Sequence, residues 1–315
     1  MQVHTVTGSI DVSSLGKTLV HEHLRVRSEE IVRQFPQLYD EGHELQRAIE
    51  QVRAAKQRGI QTICDPTVMG LGRDIRFMER VAQQTQMQII AATGVYTYHY
   101  LPPALENRSI DFLADLFVHD IEQGIQGTSI KAGFLKCATD AQGITPDVEK
   151  VLRAVARAQK QTGVPILTHS HPASGTGIGQ MEIFEEEGVN PKSIMIGHSG
   201  DTDSLEYLLR LLSHGSYIGM DRYGLTAPFG CSTERRNATV VELVQRGYTD
   251  RMFLSQDACA TIDWFSEEMA TQMFPKWTMT YVTDEILPDL LANGVTQGQI
   301  DTMMIDNVQH WFEGV

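Results

Sequence analysis

Short apolar runs recur along the chain, each opening or closing near Gly, Pro, Asp or Thr. They are TLVHEHL (18–24), QTICDPTV (61–68), QIIAATGVY (88–96) and AGFLKCA (132–138), then VPILTHSH (164–171), SIMIGHSG (193–200), SYIGMDRY (216–223) and MFLSQDA (252–258). Runs of this length and bounding predict buried strands. Between them apolar residues fall at three- and four-residue spacing, as in ELQRAIEQVRAAKQRG (44–59), TPDVEKVLRAVARAQKQTG (145–163) and SLEYLLRLLSHG (204–215), which predicts helices. Thr145 with Pro146 and Glu149 has the form of a helix start, and Gly163 that of a stop. Eight strands alternating with helices over residues 1–315 predict one (β/α)8 barrel, a TIM barrel, as a single domain. A doubly wound sheet is disfavoured because no G-x-G-x-x-G follows the first strand. Residues 1–17 read as a hairpin-like segment over the barrel's bottom, and QIDTMMIDNVQHWFEG (299–314) as an amphipathic helix packed outside it.

Composition narrows the partners. A hydrophobic content of 42% with 21% charged residues fits a globular chain and excludes disorder as its main character. A formal net charge of -14 argues against nucleic acid as the ligand, because a phosphate backbone needs a basic patch. No apolar stretch approaches the about 20 residues that span a bilayer, and MQVHTVTGSI lacks the basic and apolar regions of a signal peptide. The four cysteines, Cys64, Cys137, Cys231 and Cys259, show no C-x-x-C spacing. A chain of this size needs no disulfide staples. The expectation is a cytoplasmic protein whose partner is a small molecule rather than nucleic acid or membrane.

Candidate chemistry comes from the polar residues inside these runs. His21 and His23 alternate on one strand face with Glu22 opposite, and such a pair serves equally as metal ligands or as hydrogen-bonded core histidines. In a barrel, catalysis sits at the carboxyl ends of the strands. Those ends carry His21 and His23 on strand one, Lys136 on strand four, His169 and His171 on strand five, His198 on strand six and Asp257 on strand eight. One such residue is ordinarily a satisfied core group, whereas several on one rim point to a shared site. Lys136 is the telling member, since a cation repels a metal and cannot bind it. In a histidine-lined mouth its pKa falls, and reaction with carbon dioxide makes an anionic carbamate able to bridge two metals.

HEHL, GFLKCA, LTHSH, IGHSGD and LSQDA together resemble the phosphotriesterase family of the amidohydrolase superfamily. The resemblance runs over the whole chain. DPTVMGLGRDI (65–75), ATGVYTY (92–98), GMDRYGL (219–225) and TIDW (261–264) are most similar to the phosphotriesterase-like lactonases, which open N-acyl homoserine lactones and other lactones. The resemblance implies metal ligands at His21, His23, carbamylated Lys136, His169, His198 and Asp257, with His171 supporting a ligand rather than binding metal. It implies two divalent ions, zinc first with iron, cobalt or manganese as alternatives, and a homodimer. The implied reaction is attack of a metal-bridging hydroxide on a carbonyl, with Asp257 taking the proton and passing it to the leaving alkoxide. Tyr96 and Arg222 are implied at the catalytic centre, and Tyr96, Tyr98, Arg222, Cys259 and Trp264 around the substrate. Arg222 also has acids in reach of pairing, Asp221 or Asp201, and Tyr96 and Trp264 also suit plain structural positions.

Two departures stand out. Gln256 replaces the histidine usual before the strand-eight aspartate, and alternation turns it away from Asp257's face. GLTAPFGCSTERRN (224–237) reads as a Gly-rich polar loop where lactonases carry an apolar one, which bears on the acyl-chain preference. The rival readings are an enzyme acting mainly on organophosphate triesters, with lactones secondary, and a barrel that only binds a ligand.

Overall fold

The computed structural model describes residues 1–97, 99–226 and 230–315. Its centre is an eight-stranded parallel sheet: β1 (Thr18–Leu19), β2 (Thr62–Asp65), β3 (Gln88–Gly94), β4 (Phe134–Ala138), β5 (Ile166–His169), β6 (Ile194–Ile196), β7 (Tyr217–Met220) and β8 (Met252–Leu254). The order across the sheet is the sequence order, each strand pairing with the next, and helices stand between them, as in a (β/α)8 barrel. All eight predicted strands are present but shorter than their apolar runs. The residues past each strand end, such as His171 or Gln256, belong to loops instead.

The first run does not stay one strand. It breaks after Leu19 and resumes as a separate piece, Glu22–His23, which pairs in parallel with Ala258–Cys259. That pairing closes the barrel between its first and last strands, helped by Asp257 N donating to His21 O at 2.9 Å. Glu22 lies in this seam. Its carboxylate accepts from Ser255 Oγ at 2.8 Å, Gln256 N at 3.0 Å and Ala258 N at 2.8 Å. Burial pushes its pKa well above the usual range, against the pull of those three hydrogen bonds. The acid between the two histidines is therefore a structural tie across the closing edge.

Alternation along the strands sorts side chains into two cores. Ile63, Ile89, Leu135, Ile166, Ile194, Ile218 and Met252 pack outward against the helices. Val20, Ile90, Phe134, Leu167, Met195, Tyr217 and Phe253 fill the barrel with Val3, Val12 and Leu15 of the opening segment. The opening segment is a hairpin, Gln2–Thr5 against Gly8–Asp11, tied on by Val6 N to Ile89 O at 2.8 Å. The final helical stretch, expected outside the barrel, instead closes its floor. Its last helix, Asn307–Glu313, sends Trp311 among the inward-facing residues, with ring centroids 6.0 Å from Phe134 and 5.8 Å from Phe253. An amphipathic pattern fixes that one face is buried, and leaves open what buries it.

The helices follow their local signals. Pro146–Thr162 is capped by Thr145 Oγ1 accepting from Val148 N, and ends at Gly163 with φ 76°. The polar stretch 224–237, expected as one loop, contains a helix start: Ser232 caps Thr233–Gln245 by accepting from Arg235 N. No helix of the described residues is long and apolar enough to cross a membrane.

Candidate metal centre

Above the apolar floor the same inward-facing positions turn polar. Lys136 follows Phe134 on β4 and His169 follows Leu167 on β5, so alternation alone raises both toward the mouth. His21 and His23 arrive from the broken first strand. His198 and Asp257 lie just past β6 and β8 with φ of 60° and 51°. Left-handed backbone costs an ordinary residue about 1–2 kcal/mol. Here it bends the chain off the strand direction and turns both side chains inward.

Two of the imidazoles, those of His21 and His23, are held by their outer nitrogens. His21 Nδ1 donates to Asp221 Oδ2 at 2.7 Å, and His23 Nδ1 meets Thr67 Oγ1 at 2.7 Å. Asp221 Oδ1 accepts from His198 N at 2.7 Å and lies 3.3 Å from His198 Nδ1. This leaves the Nε2 atoms of His21, His23 and His198 at 3.4, 3.3 and 3.8 Å from Asp257 carboxylate oxygens. Fixing one ring nitrogen so that the other points at a common centre is how proteins orient metal-binding histidines. His169 joins from β5, its ring 4.4 Å from that of His198, with Tyr96 OH 3.4 Å from its Nδ1.

Burial and charge tune the group. The His21 pKa is driven down to about 3 by burial first and by Lys136 next, so its ring is neutral. Burial, with His198, Arg222 and Lys136 nearby, holds His169 well below its ordinary range. Burial pushes Asp257 upward, but His21, His23, His198 and Arg222 outweigh it and keep the carboxylate ionised. Asp221 is lowered likewise, His198 and His21 overcoming its burial.

Imidazole nitrogens facing carboxylate oxygens form a donor set suited to zinc and similar ions. His21, His198 and Asp257 alone offer ligand atoms within 4.8 Å of one another, so the cluster can hold a metal. Lys136 fits only in altered form. It is fully buried, its Nζ 3.2 Å from His21 Nε2 and 3.4 Å from Thr168 O, and burial pulls its pKa down to about 8. A lowered pKa enlarges the unprotonated fraction of the amine, the form that adds carbon dioxide.

Arg222 bridges outward, Nε donating to Asp257 Oδ2 at 3.2 Å and Nη1 to Asp201 Oδ2 at 2.8 Å. Of Asp221 and Asp201, the acids its sequence position suggested, it is Asp201 that pairs with it. The open cavity over the cluster, about 90 Å³ in volume, is walled by Leu71, Tyr96, Leu225, Cys259, Phe274 and Trp277. Trp264 stands at its edge, 50% exposed.

Most of the predicted site residues meet here, with three qualifications. His171 stays apart, its Nδ1 2.8 Å from Ser174 Oγ. Gln256 turns away from the cluster, its Oε1 accepting from Val282 N at 2.8 Å. Tyr98 lies outside the described residues, as do positions 227–229 of the expected loop. Sequence reasoning missed Asp221, Thr67 and Trp277, whose Nε1 donates to Asp257 O at 2.7 Å. Asp221 was findable, because it too stands at the carboxyl end of an apolar run, GMDRY (219–223).

Residues 1–312 match the family model described as the phosphotriesterase family. An aryldialkylphosphatase of Saccharolobus solfataricus is 48% identical over 306 residues, covering 96% of this chain and 97% of that protein. A phosphotriesterase homology protein of Mycobacterium tuberculosis is 43% identical, covering 99% and 98%. A solved structure of the phosphotriesterase from Mycobacterium tuberculosis superposes with a TM-score of 0.94 at 42% identity, covering 99% of this chain and 98% of that one.

Proposed function

Since the chain belongs to the phosphotriesterase family and is a hydrolase of that family, we propose that it opens lactones, N-acyl homoserine lactones among them, and hydrolyses organophosphate triesters as a secondary activity. The observation that carries this reading is the pairing of a polar cluster with an apolar wall. Leu71, Leu225, Phe274 and Trp277 stand beside the histidines, and Trp264 carries the wall outward. A lactone ring over the cluster would send its acyl chain out along Trp264, each buried CH₂ contributing about 0.8 kcal/mol.

His21, His23, His169, His198, Asp257 and a Lys136 carbamate would hold two divalent ions, zinc first. When bound, such ions polarise a carbonyl or phosphoryl oxygen and acidify a water. The chain's own residues do the rest. Asp257 takes a proton from the attacking water and returns it to the leaving alkoxide. The Tyr96 hydroxyl, at the cavity wall beside His169, orients the ring. Arg222 steadies Asp257.

The second reading, a primary phosphotriesterase, is favoured by the name of the 48% identical relative. The deciding measurement is kcat/KM for a medium-chain N-acyl homoserine lactone against a paraoxon-like triester on one metal-loaded preparation. The lactone is expected to win, with Tyr96→Phe weakening lactone hydrolysis more than triester hydrolysis. A clear excess for the triester overturns the lactonase reading and leaves the metal centre standing.

A further inference from the structure

The two oxygens of Asp201 are divided between two arginines. Oδ2 accepts from Arg222 Nη1 at 2.8 Å, and Oδ1 accepts from Arg236 Nη2 at 3.0 Å. Arg236 is fully buried, its guanidinium 5.1 Å above the Tyr223 ring, and its Nε donates to Gly200 O at 2.7 Å. Cys231 Sγ donates to the same carbonyl at 3.3 Å. The segment returning from the loop after β7 is thus pinned to the residues just past β6 through the acid that holds Arg222.

We propose that Arg236 is a positioning residue for hydrolysis, which sets Arg222 on Asp257 by occupying one oxygen of Asp201. The inference rests on the hydrolase site being centred on Asp257 and does not depend on which ester is preferred. A guanidinium facing a carboxylate prefers a two-point fork. With Arg236 on Oδ1, the Asp201 carboxylate is held so that Oδ2 meets Arg222 Nη1 while Arg222 Nε donates to Asp257 Oδ2 at 3.2 Å. Without Arg236 the Asp201 carboxylate loses the contact that fixes its orientation, and Arg222, which is held to it through Nη1, shifts with it relative to Asp257. Gly230 belongs to the same device. A Cβ there would come within 2.7 Å of Asp201 Oδ1 and 3.0 Å of Arg236 Nη2, so any side chain wedges the pair apart.

The test is a double-mutant cycle on the metal-loaded enzyme: Arg236→Met, Arg222→Met and the double variant. kcat and KM are measured on a lactone and a triester, and the cycle is read on whichever turns over faster; metal per chain is measured alongside. Arg236→Met is expected to lower kcat by roughly tenfold when Arg222 is present and by less than roughly twofold in the Arg222→Met background, the non-additivity of residues sharing one partner. Where Arg236→Met does not fold, Gly230→Ala takes its place in the cycle, because it disturbs the same pair without removing a buried cation. Equal losses in both backgrounds, as a purely structural arginine would give, overturn the proposal, and so does the absence of a loss in the Arg222 background.

Discussion

Glu22→Gln tests whether the barrel's closing edge is tied by one side chain. In the wild type Oε1 serves Ser255 Oγ and Gln256 N, and Oε2 serves Ala258 N. A glutamine keeps one acceptor oxygen for the first two and turns an NH₂ toward the Ala258 N–H, so one buried donor loses its partner. Such a donor costs about 1–3 kcal/mol. Weakening of the other two bonds adds to this, and relief from burying a charge subtracts, so the net expected loss stays at about 1–3 kcal/mol. Glu22→Ala orphans all three donors and should cost about 3–6 kcal/mol, at roughly 1–2 kcal/mol each. The assay is the shift in urea midpoint at constant slope, paired with metal content, because the seam also places His21, His23 and Asp257. A Glu22→Gln protein with wild-type midpoint and wild-type metal content would show that the backbone ladder between Glu22–His23 and Ala258–Cys259 closes the barrel unaided.

Lys136→Ala should lose most activity and part of its metal, and regain some of both when a short-chain carboxylic acid is supplied with the metal; near wild-type turnover and metal content would exclude a carbamate bridge. Asp257→Asn keeps the shape but removes charge and proton acceptance, so kcat should fall by about 10²–10⁴-fold, whereas Gln256→His, facing Val282 rather than the cluster, should shift the rate by less than about tenfold. Trp311→Ala removes the floor's largest side chain and should cost about 3–5 kcal/mol in thermal or denaturant unfolding. Metal content of the folded protein should stay unchanged; a stability loss under roughly 1 kcal/mol would mean the floor is not packed as described.

Much of this was legible in the sequence because the barrel repeats one rule. Apolar runs mark strands, period two separates inward from outward residues, and chemistry collects at carboxyl ends. That rule was enough for Lys136, His169, His198 and Asp257, and applied more evenly it reaches Asp221 as well. It fails where a position is set by contacts distant in sequence. Glu22's role depends on donors beyond residue 254, and the choice of Asp201 over Asp221 for Arg222 depends on how Asp221 is already used by His21 and His198. The helix at Thr233–Gln245 was readable from Ser232 followed by Thr-Glu-Arg, a cap signal masked by the polar run around it. Where the final helix docks was not readable, because its apolar stripe fits the outer face and the floor equally well.

The floor also orders events in time. Its lining draws on Val3 and Val12 near the start of the chain, Phe134 in its middle, and Trp311 and Phe312 after every strand. As the chain is synthesised, the hairpin emerges early, yet the inner side chains of the strands have no lower lid until residues 307–313 follow. The inner core can therefore be sealed from below only after the whole barrel has been made, so sealing the floor depends on contacts between the two ends of the fold.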